Sequence, residues 1–350
     1  MSDADLIPVL PSDIALECLL RVPLQALSGL RQVCSSWRSL LNNPSFFEAR
    51  RANGCQSHLV CILQTASSLL IKSPVYHIST YNQKDKEWSI LPPVPHLPRG
   101  LPLFCCCVSI GSKVVLVGGW DPSSCSVLTS VYIYDFLQGR WRRGAPMPTA
   151  RSFFACAATR DGKVVVAGGH DNNKNALRSA QVYDVSADSW EDLPDMAHER
   201  DECKAICFDG EILVVSGYPT DLQGQFLGSA ESFDFVERKW KQRVNFWPAG
   251  RTADSLVVVQ GRPHSLQDGK LVRWEAEKAM WEVVAELPTA ARIVTCMAPL
   301  ADGILIVGSG GSAQSTTAMR WHAGNPSSWR QVNKEGGLGI VQHTACTVQC

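Results

Sequence analysis

Six tryptophans recur at nearly constant intervals through most of this 350-residue chain. Their spacings are 53, 49, 50, 41 and 48 residues, and the six are Trp88, Trp141, Trp190, Trp240, Trp281 and Trp329. A second aromatic residue stands seven positions before each of the first five and eight before the last: Tyr81, Tyr134, Tyr183, Phe233, Trp274 and Trp321. A fixed offset inside a period of about fifty residues predicts that one small structural unit is repeated along the chain.

Each repeat has the composition of short β-strands. A β-branched run that ends in glycine precedes each later aromatic residue, and we interpret it as the second strand of its unit: VVLVGG, VVVAGG, ILVVSG, LVVVQG and ILIVGSGG. An arginine opens each of five units, and a proline turn follows most of the tryptophans. Four strands of high β propensity in each unit, without a helical period, predict the blades of a β-propeller.

The predicted repeat units span about 59–92, 99–148, 151–196, 200–248, 251–288 and 292–332. The first unit lacks an arginine-led first strand, while the tail at 340–348, IVQHTACTV, resembles such a strand and stands alone. We therefore expect the tail to pair into the first blade and close a six-bladed ring, because closure leaves no strand edge free to aggregate.

The first fifty residues follow a helical period instead. Asp13, Glu17 and Arg21 form one polar stripe at spacings of four, and most positions around them are apolar. We predict a helical module at 1–50, a linker at 51–58 and a propeller domain at 59–350. A helical module this short cannot supply a stable core alone, so it either packs on the propeller or presents its apolar face to another protein.

Particular residues in both parts resemble known motifs. In the head these are Leu10-Pro11, Ile14, the block from Cys18 to Pro23, Val33-Cys34 and Trp37-Arg38, which resemble an F-box. The glycine pair, the Tyr-Asp and the later Trp of each repeat resemble the kelch motif. The chain as a whole resembles the plant F-box/kelch-repeat family, most of all the branch that binds phenylalanine ammonia-lyase or type-B cytokinin response regulators. Gln260-Gly261 and Trp274-Glu275 depart from the kelch pattern, so that unit is expected to be less regular.

The resemblance implies a mainly β protein with a small α-helical module, an F-box followed by a six-bladed kelch propeller. It also implies a substrate receptor of an SCF (Skp, cullin, F-box) ubiquitin ligase, which binds a Skp-type adaptor, and through it a cullin, and holds a target protein for degradation. The predicted adaptor-binding residues are Leu10, Pro11, Ile14, Leu19, Leu20, Pro23, Val33 and Trp37. The alternative for Val33 and Trp37 is that they form the module's own core.

Target binding is expected at one face of the propeller, on the loops that follow the second strands and those that lead into each arginine. Five arginines at repeat-equivalent positions are predicted to ring this face and to recognise carboxylates: Arg99, Arg151, Arg200, Arg251 and Arg292. The alternative is that each arginine bridges neighbouring blades. Trp120, His170 and Tyr218 each follow a glycine directly and are predicted as aromatic contacts.

The charge balance, the start of the chain and the cysteine spacing limit the partners and locations that we expect. The chain has 33 basic and 33 acidic residues, which gives no support to a nucleic-acid or membrane partner. Its start lacks the pattern of a signal peptide, and no stretch approaches a membrane span, so a cytoplasmic or nuclear location is expected. The fourteen cysteines lack metal-binding spacing and are interpreted as buried free thiols.

Catalysis is not expected, and no cofactor or metal is predicted. Glu191, Asp195 and His198 approach the iron-ligand spacing of specifier propellers but fall one residue short, and we interpret them as a coincidence. The alternatives to a ubiquitin-ligase receptor are a non-catalytic kelch scaffold or, less favoured, a propeller enzyme of the specifier type.

Overall fold

The computed structural model describes residues 6–65, 75–95, 97, 100–253, 255–311, 316–332, 338–339 and 341–350. Its helices are α1 (Ser12–Arg21), α2 (Leu27–Leu30), α3 (Ser35–Asn42) and α4 (Pro44–Ala52), with 3-10 turns at Leu24–Ala26, Thr220–Leu222 and Thr289–Ala291. No helix in the described ranges is both long enough and apolar enough to cross a membrane.

In the described residues, twenty-four strands follow the helices and form six blades. Blade 1 holds β1 (His58–Thr65), β2 (Tyr76–Asn82) and β3 (Glu87–Ile90), and blade 2 holds β4 (Cys106–Ile110), β5 (Lys113–Val117), β6 (Val131–Asp135) and β7 (Arg140–Gly144). Blade 3 holds β8 (Ala155–Ala158), β9 (Lys163–Ala167), β10 (Ala180–Asp184) and β11 (Ser189–Leu193), and blade 4 holds β12 (Lys204–Phe208), β13 (Glu211–Val215), β14 (Ala230–Asp234) and β15 (Lys239–Arg243). Blade 5 holds β16 (Leu256–Val259), β17 (Arg262–Gln267), β18 (Lys270–Glu275) and β19 (Met280–Glu286), and blade 6 holds β20 (Ile293–Leu300), β21 (Gly303–Ser309), β22 (Thr317–His322) and β23 (Asn325–Val332).

The last strand, β24 (Val341–Gln349), closes the ring. It pairs antiparallel with β1, with Cys61 opposite Cys346 and Leu59 opposite Val348, so blade 1 has the strand order β24-β1-β2-β3. The predicted closure of a six-bladed propeller by the C-terminal strand is confirmed. Both ends of the propeller segment therefore meet in one sheet, and the ring cannot open without separating β24 from β1.

The paired aromatic residues of the repeat lie directly opposite each other on the third and fourth strands of each blade. Tyr183 faces Trp190 across β10 and β11, for example, with ring centroids 4.9 Å apart. In blade 6 the register shifts between Trp321 and His322, which accounts for the offset of eight before Trp329. The offset of seven is thus the length of a hairpin that places two large rings side by side.

Most of these tryptophans also tie their blade to the preceding one. Their indole N–H groups donate to a backbone carbonyl there, at 2.7 to 2.8 Å: Trp141 to Pro92, Trp190 to Ala145, Trp240 to Pro194, Trp281 to Phe246 and Trp329 to Glu286. The acceptors lie in or next to the turn that follows the previous tryptophan. The proline turns of the repeat therefore carry the acceptors that join one blade to the next.

Blade 5 departs from the sequence interpretation. The run LVVVQG is the first strand, β16, and its turn, whereas we had interpreted it as a second strand. Gln260 and Gly261 both have positive φ, 50° and 74°, and form the two-residue turn into β17. A second two-residue turn, Asp268-Gly269, joins β17 to β18. Under the interpretation of LVVVQG as a second strand, QGRPHSLQDGK would be one of the recognition loops, but it is a strand between two tight turns, as expected for Asp-Gly in a hairpin.

The helical module packs against the propeller. Leu20, Leu27 and Leu41 belong to one buried apolar cluster with Leu59 of blade 1 and Phe136 of blade 2. Arg31 donates to the carbonyl of Leu137, in the turn between β6 and β7. We call this end of the propeller, with the turns at 83–86, 136–139 and 323–324, the helix face. The opposite end, with the loops at 118–130, 168–179 and 216–229, is the rim face.

Candidate functional site

The structure divides the eight predicted adaptor residues by exposure. Pro11, Ile14, Pro23 and Val33 are exposed, Leu10 and Trp37 are half-buried, and Leu19 and Leu20 are buried. Ile14 and Val33 have 46% and 61% of their surface accessible. The alternative that Val33 belongs to the module's core is therefore wrong, whereas Trp37 does pack against that core and donates to the carbonyl of Leu6.

A buried arginine that the sequence analysis missed holds the helical module together. Arg50 of α4 donates to the carbonyls of Leu20 at 2.7 Å, Val22 at 2.8 Å and Cys55 at 3.0 Å. The first two are carbonyls at the end of α1, where a cation is favourable. Burial lowers the pKa of Arg50 from its ordinary value. Arg50 thus connects α1, α4 and the segment that leads into the propeller.

Arg151 and Arg200 do not lie on the rim. Both are fully buried, and every hydrogen bond of their side chains stays within their own blade. Arg151 donates to the carbonyls of Gly168 and Ser179, each at 2.9 Å. Arg200 pairs with Glu231 at 3.0 Å. For these two residues the prediction of carboxylate-binding arginines on the surface is wrong, because both side chains are buried inside their blades.

The alternative role, bridging of blades, holds for the backbone of Arg200. The amide of Gly169 in blade 3 donates to the carbonyl of Arg200 in blade 4, at 2.8 Å. A Cβ on Gly168 would lie 2.5 Å from the same carbonyl oxygen, and Gly168 has φ 68°. The glycine pair is therefore required both by its conformation and by the close approach of the next blade.

The remaining three arginines are not equivalent to these two. Arg99 lies outside the described residues, and the bridge of Leu103 with Trp120 shows that Pro102 occupies the position of Arg151 in blade 2. Arg251 lies at the surface and pairs with Asp268 at 2.6 Å. Arg292 is exposed. The predicted ring is thus not formed by repeat-equivalent side chains.

The three predicted rim residues Trp120, His170 and Tyr218 do occupy equivalent positions. Each follows the second strand and forms an isolated bridge with the residue three positions before its blade's first strand, and the partners are Leu103, Ser152 and Asp201. All three line one cavity of about 140 Å³ on the rim face, with Phe153, Lys174 and Glu202 among the other lining residues. Their predicted contact with a target stays a prediction.

Two phenylalanines extend this group into an aromatic surface. The rings of Phe104 and Phe153 lie 4.8 Å apart, Phe153 stacks on His170 at 5.5 Å, and Trp120 meets Phe153 edge-on at 5.7 Å. We call Phe104, Trp120, Phe153, His170 and Tyr218 the rim cluster. Phe104 is exposed, and Trp120 and Phe153 are half-buried.

Phe104 and Phe153 are rim residues that the sequence analysis missed. They share a left-handed backbone with Glu202, with φ values of 53° to 54°. These three residues are 49 positions apart in succession, so the same repeat spacing could have identified them. A positive φ is unfavourable for such side chains and is held here by the surrounding structure.

The polar groups beside the rim cluster are mainly acidic. His170 Nδ1 lies 2.9 Å from both carboxylate oxygens of Asp201, and Tyr218 donates to Glu202 at 3.0 Å. Burial and the charges of the two acids raise the pKa of Tyr218, so it stays a neutral donor. Lys174 lies 4.4 Å above the ring of Trp120, a cation–π contact.

Hydrogen bonds between blades hold the rim loops in place. The amide of Val127 in blade 2 donates to Asn172 of blade 3 at 3.0 Å, and the amide of Ala176 in blade 3 donates to Thr220 of blade 4 at 2.8 Å. Thr220 in turn donates to Glu199 at 3.1 Å. The loops of blades 2, 3 and 4 therefore form one preorganised surface, which lowers the entropy cost of binding.

The cysteines differ from one another in exposure. All fourteen cysteines are free, but Cys18, Cys34 and Cys125 are exposed, so the expectation that all are buried is wrong for these three.

Glu191 pairs with Arg238, Asp195 with Arg178, and His198 with Glu231, so the structure does not bring the three together. Within the described ranges no group of three or more His, Cys, Asp or Glu side chains is arranged to hold a metal ion.

Comparisons with known proteins place the chain in a family. The F-box domain model matches residues 7–49, and the model for the KLHDC2/KLHL20/DRC7 Kelch-repeats domain matches residues 68–265. The F-box/kelch-repeat protein At1g80440 of Arabidopsis thaliana is 39% identical over 87% of this chain and 88% of its own length. The F-box/kelch-repeat protein SKIP20 of the same plant is 34% identical over 98% of this chain and 96% of its own length. An F-box joined to a kelch propeller indicates a substrate receptor of an SCF ubiquitin ligase, and the chain belongs to the F-box/kelch-repeat family.

Proposed function

We propose that the exposed apolar residues of the helical module bind a Skp-type adaptor while the rim cluster holds the target protein. The observation that carries the proposal is the position of the two surfaces at opposite ends of the propeller. Arg31 fixes the module to the turn at 136–139, whereas the rim cluster lies where β5 and β9 end, at the other end of the strands. One partner can therefore occupy each end without excluding the other.

The adaptor surface consists of apolar side chains that the propeller leaves uncovered. Ile14 and Val33 are exposed, while Leu19 and Leu20 point into the core shared with the propeller. An exposed apolar group on a module whose other side is already packed is typical of a protein-binding surface. We therefore assign contact with the adaptor to Pro11, Ile14, Pro23 and Val33, and a supporting role to Leu19 and Leu20.

The chemistry of the rim cluster suggests what a target must offer. Aromatic rings line the surface, the exposed carboxylate of Glu202 lies at its edge, and the carboxylate of Asp201 is buried against His170. Such a surface suits a segment with an apolar or aromatic anchor beside a lysine or arginine. A ring of arginines would instead select a segment with an acidic residue.

Co-purification of the full-length chain with a plant Skp adaptor tests the first half of the proposal. Replacement Val33→Asp or Ile14→Asp should abolish capture without changing the melting temperature, because both side chains are exposed. Val236→Asp is the matched control, since Val236 is 94% exposed in a turn of blade 4 and should leave capture unchanged. Capture that survives both Asp variants would exclude Ile14 and Val33 as the contact surface, and no capture of the folded wild-type chain would return the chain to the scaffold alternative.

The target half can be tested with the two classes that the family resemblance suggests, phenylalanine ammonia-lyase and type-B response regulators. Phe104→Asn and Phe153→Asn remove the aromatic surface while Asn tolerates the positive φ at both positions. At least a tenfold loss of affinity for a captured target, with adaptor binding intact, is expected. An unchanged affinity in both variants would exclude the rim cluster as the contact surface.

A further inference from the structure

The seam between blades 6 and 1 contains an unusual pair of like charges. Arg320 on β22 and Arg330 on β23 are directly opposite each other across the strand pair. Like charges in directly opposed positions destabilise an antiparallel sheet. The two arginines line a cavity of about 330 Å³ together with Asp302, His322 and Asn325.

One carboxylate serves several partners in this cavity. Asp302 accepts from Arg320 Nη2 at 2.5 Å and from Gln83 Nε2 at 2.8 Å, which also ties blade 1 to blade 6. His322 Nδ1 accepts from the amide of Gly324, so its Nε2 is left to face Asp302 at 3.3 Å. The side chain of Arg330 is exposed and has neither a hydrogen bond nor an ion pair to any part of the chain that the structure describes. Among these described residues, the lining therefore holds two guanidinium groups against one carboxylate.

At two other blade interfaces, the residue after one repeat tryptophan forms an ion pair with a residue in the turn of the next blade. Arg142, the residue after the repeat tryptophan of blade 2, bonds Asp188 in the turn of blade 3 at 3.3 Å and the carbonyl of Val185 at 2.8 Å. In the next interface the signs are exchanged, and Glu191 accepts from Arg238 at 2.7 Å. In both cases the residue after one tryptophan meets the residue two places before the next.

At the seam both of these positions are cationic. Arg330 follows Trp329, and Lys86 stands two places before Trp88 in the turn of blade 1. Lys86 has φ 59° and Asp188 has φ 54°, so the two occupy the same left-handed turn position. The seam thus places a lysine where blade 3 supplies the carboxylate for Arg142.

We propose that the seam cavity binds a phosphate group of a small phosphorylated compound. A phosphate monoester carries close to two negative charges and three acceptor oxygens, which match the fork of Arg330 and the remaining donors of Arg320 in the cavity lining. The ammonium group of Lys86 belongs to the adjoining turn, whose Gln83 bonds Asp302, and supplies a further cation. A ligand with a single carboxylate would neutralise only one of the cations that lack a partner. The site lies on the helix face, away from the rim cluster, and does not depend on the proposed function.

Calorimetric titration of the full-length chain with inorganic pyrophosphate, and thermal melting with and without it, test the proposal. The wild-type chain should bind pyrophosphate and melt at a higher temperature in its presence. Arg330→Gln should weaken binding at least tenfold. Lys86→Asp should abolish binding and raise the melting temperature of the free protein, because it recreates the pair that Arg142 makes with Asp188.

Two matched variants separate charge from backbone effects. Lys86→Asn relieves the positive φ as Asp does but supplies no charge, so it should weaken binding less than Lys86→Asp. Arg142→Gln, at the equivalent position of the regular interface, should lower the melting temperature and leave the affinity for pyrophosphate unchanged. Binding that persists in Lys86→Asp and Arg330→Gln, an equal loss in Arg142→Gln, or no binding to the wild type would overturn the proposal.

The source of the phosphate can be distinguished with the same calorimetry. Free phosphoserine and a short neutral peptide that carries one phosphoserine present the same group, and acetate and the unphosphorylated peptide serve as controls. Equal affinity for phosphoserine and the peptide would identify a small phosphorylated compound as the ligand. At least tenfold tighter binding of the phosphopeptide would overturn that choice of source in favour of a phosphorylated protein segment.

Discussion

Blades 3 and 4 differ from blade 5 in what happens where the second strand ends. In blades 3 and 4 a glycine and a long rim loop follow, and a buried arginine binds the carbonyls on either side of that loop, such as those of Ser216 and Ser229. In blade 5 the two-residue turn at 268–269 closes the hairpin, and Gln267 pairs directly with Lys270. Arg251 accordingly lies at the surface. The comparison shows that the buried arginine adds a donor to the carbonyls at the two ends of a long loop, which the tight turn of blade 5 does not contain.

The largest effect is expected for Arg200, because its removal strands a buried charge. Arg200→Met keeps much of the side-chain volume but leaves the Glu231 carboxylate, which is 1% exposed, without its cation. We expect a loss of roughly 3 to 5 kcal/mol in the free energy of unfolding, measured by urea denaturation.

The double variant Arg200→Met/Glu231→Gln is the control for this interpretation. It removes the stranded charge while Gln can still accept from the amide of Ala197, which bonds Glu231 at 2.7 Å. Recovery of about 1 kcal/mol or more is expected from the coupling of the two sites. No recovery would mean that packing, and not charge, is responsible for the loss.

Arg151 should be less costly to remove, because blade 3 has Gln181 where blade 4 has Glu231. Arg151→Met removes one donor from the carbonyls of Gly168 and Ser179 but leaves no carboxylate unpaired. Burial lowers the pKa of Arg151 to about 10, so its loss also relieves the cost of holding a buried cation. We expect urea denaturation to show a loss of roughly 2 kcal/mol, and a loss equal to that of Arg200→Met would contradict the role assigned to the carboxylate.

Blade 5 should respond to acid through His264. This side chain is 3% exposed, donates from Nδ1 to the carbonyl of Arg262 at 2.9 Å, and has its pKa lowered by burial to about 4. An unfolded histidine titrates near pH ~6.5. The native state therefore binds the proton more weakly than the unfolded state, and stability present above about pH 6.5 is lost as the pH falls towards about 4.

The expected loss between pH 7 and pH 5 from this one group is roughly 2 kcal/mol. His264→Gln should flatten the dependence of the unfolding free energy on pH over that interval. An acid response that His264→Gln leaves unchanged would show that this histidine is not the group that blade 5 must keep neutral.

The regular parts of the molecule were predictable because their signal repeats. The aromatic pair seven residues apart, the glycine that ends the second strand and the lone tail strand each correspond to one geometric requirement, and all are confirmed for the regular blades. Blade 5 was misread because LVVVQG has the composition of a second strand, and only pairing register shows that Leu256 faces Ser265 in a first hairpin. Composition does not specify register.

The candidate site was predictable only in part. Trp120, His170 and Tyr218 were placed on one surface by their repeat positions, but the burial of Arg151 and Arg200 could not be inferred from residue type. A guanidinium group can face solvent or satisfy backbone carbonyls, and the choice depends on the length of the loop beside it. The same physical reason explains why Arg251, in the blade with a two-residue turn, remains at the surface.

Arg251 should therefore be the least costly of the three arginines to replace. Its ion pair with Asp268 joins side chains that are 36% and 74% exposed, so solvent and salt screen it. Its structural contact with blade 4 is through the backbone, since Ser216 Oγ donates to the carbonyl of Arg251 at 2.7 Å. Arg251→Ala keeps that carbonyl, and urea denaturation should show a change within about 0.5 kcal/mol. A loss comparable to that of Arg151→Met would mean that the side chain of Arg251 supports the fold as the buried arginines do, and that loop length does not explain the difference between the blades.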